Sequence, residues 1–195
     1  MNCTKTNEKA ISWLKGGNVD EERLLHSLGC AQCAAELAER FCLDEKKAYI
    51  AGLLHDCAKC LDKEKLIEIA QKLGLEDEEL CNIKVLHAPV SAYLAKTEFG
   101  IQDEEILSAI RLHTVGKMDM STFEKVVFLA DKIEPNTRDL EFRDKIMLFL
   151  NGENGLDRAL LLCYKETIKS LVIRGLKICK TTVDIYNSML NTQGR

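Results

Sequence analysis

Proline is scarce in this sequence: only Pro89 and Pro135 occur in 195 residues. Proline interrupts helices, so its near absence leaves room for long ones. Apolar residues recur at spacings of three and four along most of the chain, and no stretch has the convincing alternation of a half-buried strand. The sequence therefore predicts an all-α fold, arranged as a compact helical bundle.

Long apolar runs and a positive charge are also lacking. No run reaches the roughly 18 apolar residues that a membrane span needs, and the first residues lack the apolar core of a signal peptide. The formal net charge of -4 gives no diffuse positive field of the kind that draws nucleic-acid polymers. We expect a soluble, cytoplasmic protein without a membrane or polynucleotide partner, whereas a small anionic ligand remains compatible.

Cysteine, by contrast, is abundant, with nine residues that include the pairs Cys30/Cys33 and Cys57/Cys60 at C-x-x-C spacing. Such spacing invites a structural zinc site or a redox function. However, Cys30 and Cys33 lie within an apparently continuous helix, where cysteine serves as a small core residue. In a reducing compartment we expect free thiols that pack in the core.

The apolar periodicity predicts ten helices in one domain that spans residues 1–195, with a core of about 20–190 and an N-terminal helical extension over 1–17. Asp20 and Asp44 can cap the helices that follow them. Ser121 and Glu124 form a capping-box pattern, and Pro135 should close that helix. The expected helices cover residues 8–15, 20–41, 44–58, 62–73, 86–98, 103–113, 121–134, 139–151, 154–174 and 180–190.

Polar residues of metal-ligand type end or interrupt the apolar helical segments. An adjacent His-Asp pair follows Ile50–Leu54, and an aspartate follows Val126–Ala130. A buried carboxylate without a partner costs several kcal/mol, so a bound metal or a fixed cation is the simplest reason to place one there. All four histidines share this kind of position, and the complete set is His26, His55, Asp56, His87, His113 and Asp131.

A lone histidine on an apolar face is more often a hydrogen-bonded core residue than a ligand. Six residues of this type are harder to explain in that way. Mixed imidazole and carboxylate ligands suit iron, manganese, zinc or nickel rather than a thiolate-bound structural zinc. We therefore predict a metal pocket.

The order of these residues resembles the HD-domain superfamily of metal-dependent phosphohydrolases, whose mark is a leading His, a His-Asp pair and a later Asp on a helical bundle. Here these are His26, His55-Asp56 and Asp131. Three segments resemble the bacterial symmetrical diadenosine tetraphosphate hydrolase branch: 51–59 (AGLLHDCAK), 113–116 (HTVG) and 130–135 (ADKIEP). The resemblance covers about residues 20 to 190.

The resemblance also implies roles. Iron, or else manganese, zinc or nickel, would be held by His26, His55, Asp56 and Asp131, and a second ion could use His87 and His113. The catalytic groups would be Asp56, Lys59, His87 and His113. The substrate would be contacted by Arg23, Lys59, His87, His113, Thr114, Arg138, Ile173, Arg174, Gly175, Leu176, Lys177 and Ile178.

The implied reaction is hydrolysis of diadenosine tetraphosphate and related dinucleoside polyphosphates into two ADP by metal-activated water. Lys59, Arg23 and Arg138 would neutralise the polyphosphate, while His87 or His113 would orient the water or protonate the departing diphosphate. Two alternatives stay open: an HD phosphohydrolase for a mono-, tri- or cyclic nucleotide, and a catalytically silent nucleotide sensor. A homodimer formed through 148–150 and 160–162 is also open, although core packing explains those leucine-rich stretches better.

Overall fold

The structure is a computed structural model, and it describes residues 3–16, 21–75 and 83–193. Within these ranges it contains ten α-helices, one short 3-10 helix at Cys57–Cys60 and no strand. The all-α prediction is confirmed. The α-helices are α1 (Cys3–Gly16), α2 (Glu21–Arg40), α3 (Glu45–Leu54), α4 (Lys63–Lys72), α5 (Ile83–Thr97), α6 (Glu104–Leu112), α7 (Thr122–Ile133), α8 (Leu140–Leu150), α9 (Gly155–Ile173) and α10 (Lys180–Gln193).

Side-chain caps fix where several helices begin. Asp44 accepts a hydrogen bond from the backbone N of Lys47 at 3.0 Å and so starts α3. At α7 the predicted capping box is confirmed in both directions, between Ser121 and Glu124. The expected cap at Asp20 lies outside the described residues.

The prediction of one continuous helix over residues 44–58 is wrong, because α3 ends at Leu54. Asp56 has φ -108° and ψ 11°, outside the helical region, and the 3-10 helix then follows. Nδ1 of His55 bonds the carbonyl oxygen of Gly52 at 2.6 Å, so the side chain satisfies one of the orphan carbonyls at the helix end. The break places His55 and Asp56 at a turn rather than along a helix.

Helices α2 and α3 pack most extensively on each other, and α7 lies across both. Gly52 permits the close approach of α2 and α3, because a Cβ built there would lie 2.7 Å from the carbonyl oxygen of Cys30. Helix α5 packs on the 3-10 helix and on α6. The ends of α3 and α6 and the first half of α2 thereby face the last turns of α7.

Helix α1 covers the 3-10 helix and α3. Ala10 and Leu14 are buried, and the Trp13 ring packs edge-on against Phe99 with centroids 5.6 Å apart. Nε1 of Trp13 donates to the carbonyl oxygen of Cys57 at 3.2 Å. The N-terminal helix therefore touches the segment that carries Asp56.

At the other end of the chain, α9 packs against α7, α8 and α10. Leu150 and Leu160 are buried, as core packing predicts, whereas Leu148 is 73% exposed. None of the helices in the described part of the chain has the length and apolarity needed to cross a membrane.

The cysteines of the two C-x-x-C pairs behave as core residues. Cys30, Cys33 and Cys57 are buried and Cys60 is half-buried, all as free thiols. Burial raises the pKa of Cys33 and Cys57 to about 12 and that of Cys60 to about 11, so these thiols stay protonated near neutral pH. Among the described residues, the groups that could hold a metal contain only histidine and aspartate.

Candidate metal centre and adjoining cavities

Three helices and one turn bring the four predicted metal ligands together. His26 lies on α2, His55 and Asp56 at the end of α3, and Asp131 on α7. Nε2 of His26 is 3.0 Å from Oδ1 of Asp131 and 3.2 Å from Nε2 of His55. Nε2 of His55 is 3.4 Å from Oδ2 of Asp56. Among the described residues, the side chains that could hold a metal form two groups of three that share His55: His26/His55/Asp131 and His55/Asp56/His113.

Hydrogen bonds on the outer side of the cluster hold the rings of His55 and His113. Nδ1 of His55 faces the Gly52 carbonyl, and Nδ1 of His113 lies 2.7 Å from the carbonyl oxygen of Ile110. A carbonyl oxygen only accepts, so each Nδ1 carries a proton and the second ring nitrogen, Nε2, faces inward. His26 is held similarly, with Nδ1 3.1 Å from Oε1 of Glu134.

This arrangement fits a divalent cation. Nε2 of His26 lies 3.2 Å from Nε2 of His55 and 3.0 Å from Oδ1 of Asp131, a convergence of ligand atoms that calls for a proton or a cation between them. Ligand bonds of about 2.0–2.2 Å at roughly right angles place neighbouring donor atoms about 3 Å apart. Oδ1 of Asp56 is also buried without a well-directed hydrogen bond. The inward-facing groups are therefore of the kind that holds a divalent metal.

The two remaining histidines adjoin the same carboxylate. Nε2 of His87 is 3.1 Å and Nε2 of His113 is 3.4 Å from Oδ1 of Asp56, and the two nitrogens lie 3.0 Å apart. Asp56 thus directs one oxygen toward His55 and the other toward the His87/His113 pair. All six polar residues singled out in the sequence lie in one cluster.

Burial and charge set the protonation of the cluster. Burial lowers the pKa of His113 to about 3 and also lowers that of His87, so both rings are neutral near pH 7. Burial would raise the pKa of Asp56 and Asp131, but neighbouring positive groups and hydrogen bonds outweigh it and hold both pKa values well below the usual range. For His55, the opposing effect of burial is outweighed by the Asp56 carboxylate, which raises its pKa. The cluster is a buried negative centre.

Three cationic side chains border it. Nζ of Lys59 is 2.7 Å from Oδ2 of Asp56, and Nη2 of Arg138 is 2.7 Å from Oδ1 of Asp131. Lys132 contacts the second oxygen of Asp131 and the carbonyl oxygen of His113. Lys59 and Arg138 were predicted here, whereas Lys132 was not. These groups surround the centre with positive charge suited to an anion.

Glu134 is a further residue that sequence reasoning missed, although it lies within the quoted segment 130–135. Its fully buried carboxylate holds His26 and accepts hydrogen bonds from the backbone N of Asn136 and Thr137. A Cβ on Gly29 would lie 2.1 Å from Oε2 of Glu134, so only glycine leaves room for this carboxylate. Its position at the end of an apolar helical segment, three residues after Asp131, was the available signal.

Two cavities adjoin the centre. The first has a volume of about 350 Å³, and its lining includes Thr114, which follows His113 in the chain. Its lining is Lys84, Val85, Thr114, Val115, Thr167, Leu171, Leu176, Lys177, Cys179 and Thr182. The second, of about 360 Å³, is lined by Lys132, Arg138, Phe142, Cys163, Glu166, Thr167, Ser170, Leu171 and Arg174.

The other predicted substrate residues are more dispersed. Leu176 and Lys177 line the first cavity and Arg174 lines the second, whereas Ile173, Gly175 and Ile178 line neither. Gly175 has φ +61°, which allows the chain to turn after α9. Arg23 is exposed on α2, and its charge lowers the pKa of Cys60 against the larger effect of burial.

Comparison with known proteins agrees with this architecture. The HD domain family model matches residues 23–136. The symmetrical bis(5′-nucleosyl)-tetraphosphatase of Bacillus subtilis is 38% identical over 94% of this chain and 97% of its own length. Its counterpart from Halalkalibacterium halodurans is 36% identical over 95% and 97% of the two chains.

A solved structure supports the same grouping. The protein from Clostridium acetobutylicum described as a "predicted HD superfamily hydrolase involved in NAD metabolism" superposes with a TM-score of 0.86 at 38% identity. The match covers 95% of this chain and 97% of the other. The chain thus belongs to the HD domain family, in its branch of symmetrical bis(5′-nucleosyl)-tetraphosphatases.

Proposed function

We propose that this protein is a metal-dependent hydrolase that splits diadenosine tetraphosphate, and related dinucleoside polyphosphates, symmetrically into two ADP. The observation that carries the chemistry is the buried cluster of four histidines and two aspartates bordered by three cations. Similarity to the two tetraphosphatases over nearly the whole of each chain supports the substrate.

In this proposal His26, His55, Asp56 and Asp131 hold an iron ion, with manganese, zinc or nickel as alternatives of similar ligand preference. An ion held there would stabilise charge on phosphoryl oxygens and would lower the pKa of bound water, supplying a nucleophile near neutral pH. His87 and His113 can complete a second site, since both approach the free oxygen of Asp56.

The cationic rim binds and orients the tetraphosphate. Lys59 and Arg138 lie beside the two ligand carboxylates. Phosphoryl transfer depends mainly on positioning and on neutralising charge, so these side chains bring the central bridging oxygen next to the metal centre. Arg23, Lys132 and Arg174 extend the positive surface from that point.

If the second ion is not bound, His87 rather than His113 donates a hydrogen bond to the departing ADP. The Ile110 carbonyl holds the His113 proton on Nδ1, which leaves its Nε2 as an acceptor. His87 Nε2 is the neighbouring position that can carry a proton. His87→Gln should then lower kcat without loss of the first metal.

The test is anaerobic incubation of iron-loaded protein with diadenosine tetraphosphate, followed by chromatography of the nucleotides. Asp56→Ala is the matched control, because it removes the carboxylate that faces both halves of the cluster. ADP as the sole product, absent with the control, supports the proposal. ATP with AMP contradicts symmetrical cleavage.

Parallel incubations with mono-, tri- and cyclic nucleotides separate the alternatives. Faster turnover of one of these than of diadenosine tetraphosphate contradicts the proposed substrate. Tight nucleotide binding without turnover of any of them indicates a sensor. Metal analysis of wild type and His113→Ala counts the ions: loss of one of two ions in the variant supports a dinuclear centre.

A further inference from the structure

The 3-10 helix at Cys57–Cys60 begins directly after Asp56, so Asp56 occupies its N-cap position. Aspartate is among the preferred residues there, because its carboxylate can accept a hydrogen bond from the backbone N–H of the second or third helical residue. Four α-helices of this chain are capped in that way, by Asp44, Asp62, Asp103 and Asp139. The side chain of Asp56, in contrast, forms no capping hydrogen bond.

The backbone of Asp56 explains this exception. The four capping aspartates are extended, with ψ between 104° and 163°, whereas ψ of Asp56 is 11°. Its carboxylate is turned to the metal centre instead, where Oδ2 is 2.7 Å from Nζ of Lys59 and Oδ1 is 3.1 Å from Nε2 of His87. The group that would cap the 3-10 helix is therefore occupied elsewhere.

Ser91 provides the missing cap from another helix. Ala58 is the second residue of the 3-10 helix, and its backbone N donates to Oγ of Ser91 at 3.0 Å. Ser91 and Ala58 are 0% and 1% exposed, so bulk water cannot replace this acceptor. A buried N–H without an acceptor costs about as much free energy as a lost hydrogen bond. Ser91 thus satisfies a donor that the Asp56 carboxylate leaves unpaired.

The same serine connects the two segments that meet at Asp56. Ser91 lies on α5, four residues after His87, so both side chains lie on one face of that helix. Sγ of Cys57 lies 3.6 Å from the carbonyl oxygen of Ser91, which is a second contact between α5 and the 3-10 helix. The position of Asp56 relative to His87 therefore depends on contacts made by Ser91.

We propose that Ser91 is a positioning residue, whose hydroxyl caps the 3-10 helix in place of Asp56 and thereby leaves the Asp56 carboxylate to the metal. This inference rests on the proposed function, because it takes Asp56 as a metal ligand. Ser91 acts through Asp56 and touches neither the metal nor the substrate. Without its hydroxyl, the Ala58 N–H and the metal compete for one carboxylate.

The test is Ser91→Ala, which removes a single oxygen atom. Alanine is the most favourable residue in a helix, so the variant should fold, and its melting temperature checks this. Ser108→Ala is the matched control. Ser108 lies on the neighbouring helix α6, and its hydroxyl bonds Glu124, away from the metal centre.

The first measurement is the zinc Kd, obtained by competition with a chelator. In Ser91→Ala it should rise roughly tenfold or more, because loss of a group that supports a metal ligand typically costs about 10–100-fold in affinity. In Ser108→Ala it should stay at the wild-type value. An unchanged Kd in Ser91→Ala, or an equal rise in both variants, would overturn the inference.

The second measurement is hydrogen exchange of the Ala58 amide by NMR, with and without zinc, which is diamagnetic. Zinc should accelerate this exchange in Ser91→Ala, because it draws the carboxylate away from the amide. In the wild type and in Ser108→Ala it should slow the exchange or leave it unchanged, since ligand binding suppresses opening of the fold. A purely structural role of Ser91 gives no acceleration by zinc, and that result would also overturn the inference.

Failure of the proposed function is seen separately. It appears as an iron-loaded wild type that makes no ADP from diadenosine tetraphosphate. Neither zinc measurement needs turnover, so both still decide the role of Ser91. Normal turnover by the wild type together with an unchanged zinc Kd in Ser91→Ala overturns the positioning role alone. A wild type that binds no zinc overturns that role as well.

Discussion

The metal centre and the C-terminal wall of the cavities differ in how the protein holds their side chains. At the centre, His55, His113 and Asp131 are 0%, 1% and 5% exposed. At the wall, Ser170, Arg174 and Lys177 are exposed at and beyond the end of α9. The groups of the metal centre are buried by packing, whereas those of the wall are exposed.

The contacts of each region explain the difference. In His26, His55 and His113, Nδ1 forms a hydrogen bond on the side of the ring away from the metal centre. Contacts of this kind orient metal ligands. The side chains at the end of α9 are exposed to solvent, so fewer packing contacts fix them. Substitutions should therefore affect metal binding at the centre and substrate affinity at the wall.

The largest effect is expected from Asp131→Asn. The amide keeps the shape of the carboxylate but removes its charge, leaving Arg138 and Lys132 without their anionic partner. We expect loss of metal and a fall in kcat/KM of roughly 10²–10³-fold, the usual cost of removing one stabilising group from an active site. Metal analysis and initial rates check this. Full metal content in the variant would contradict the assigned ligand set.

Glu134→Gln should weaken the metal without removing it, because Glu134 holds His26 through Nδ1. Loss of such an outer partner typically costs about 10–100-fold in metal affinity or activity. Competition with a chelator measures the manganese Kd.

Glu124→Gln is the matched control for this change. Glu124 is a buried carboxylate that bonds Ser108 and Lys117 away from the centre. Its loss should lower the free energy of unfolding by roughly 1–3 kcal/mol and leave the manganese Kd unchanged. Equal effects of the two variants on Kd would show that Glu134 acts through stability alone.

Trp13→Phe should have a smaller effect on the same centre. It keeps an aromatic ring against Phe99 and removes the hydrogen bond to the Cys57 carbonyl, next to Asp56. We expect a cost of about 1 kcal/mol in stability and a several-fold rise in the manganese Kd. An unchanged Kd with lowered stability would confine α1 to a packing role.

The smallest effect on stability should come from Ile173→Ser at the wall, within about 0.5 kcal/mol of wild type. If this residue contacts the substrate, KM rises several-fold while kcat and the manganese Kd stay constant. Val172→Ser, at the neighbouring exposed position, should change none of the three quantities. Steady-state kinetics and thermal unfolding of the pair decide this.

Sequence periodicity was enough to predict the ten helices, because apolar spacing reports the buried face of each helix directly. It also identified the six clustered residues, since polar side chains at the ends of apolar segments stand out. The break after Leu54 was missed because it depends on a side-chain contact between His55 and Gly52. A cap of that kind leaves no mark in the periodicity.

Contacts between residues that are far apart in the chain could not be predicted from the sequence either. Glu134 meets Gly29 and His26 through the crossing of α2 and the end of α7, and Trp13 meets Cys57 across 44 residues. The second cavity arises from the packing of α7, α8 and α9. Such features follow from helix placement, which local patterns do not encode.

The most direct test of the account is a single turnover of diadenosine tetraphosphate by iron-loaded protein in ¹⁸O-labelled water, with mass analysis of the products. Attack on a phosphorus beside the central bridging oxygen puts one label on the terminal phosphate of one of the two ADP molecules. The account predicts ADP as the only product, half of it carrying one ¹⁸O, and no label without metal. Labelled AMP or ATP, or labelled ADP from metal-free protein, would contradict it.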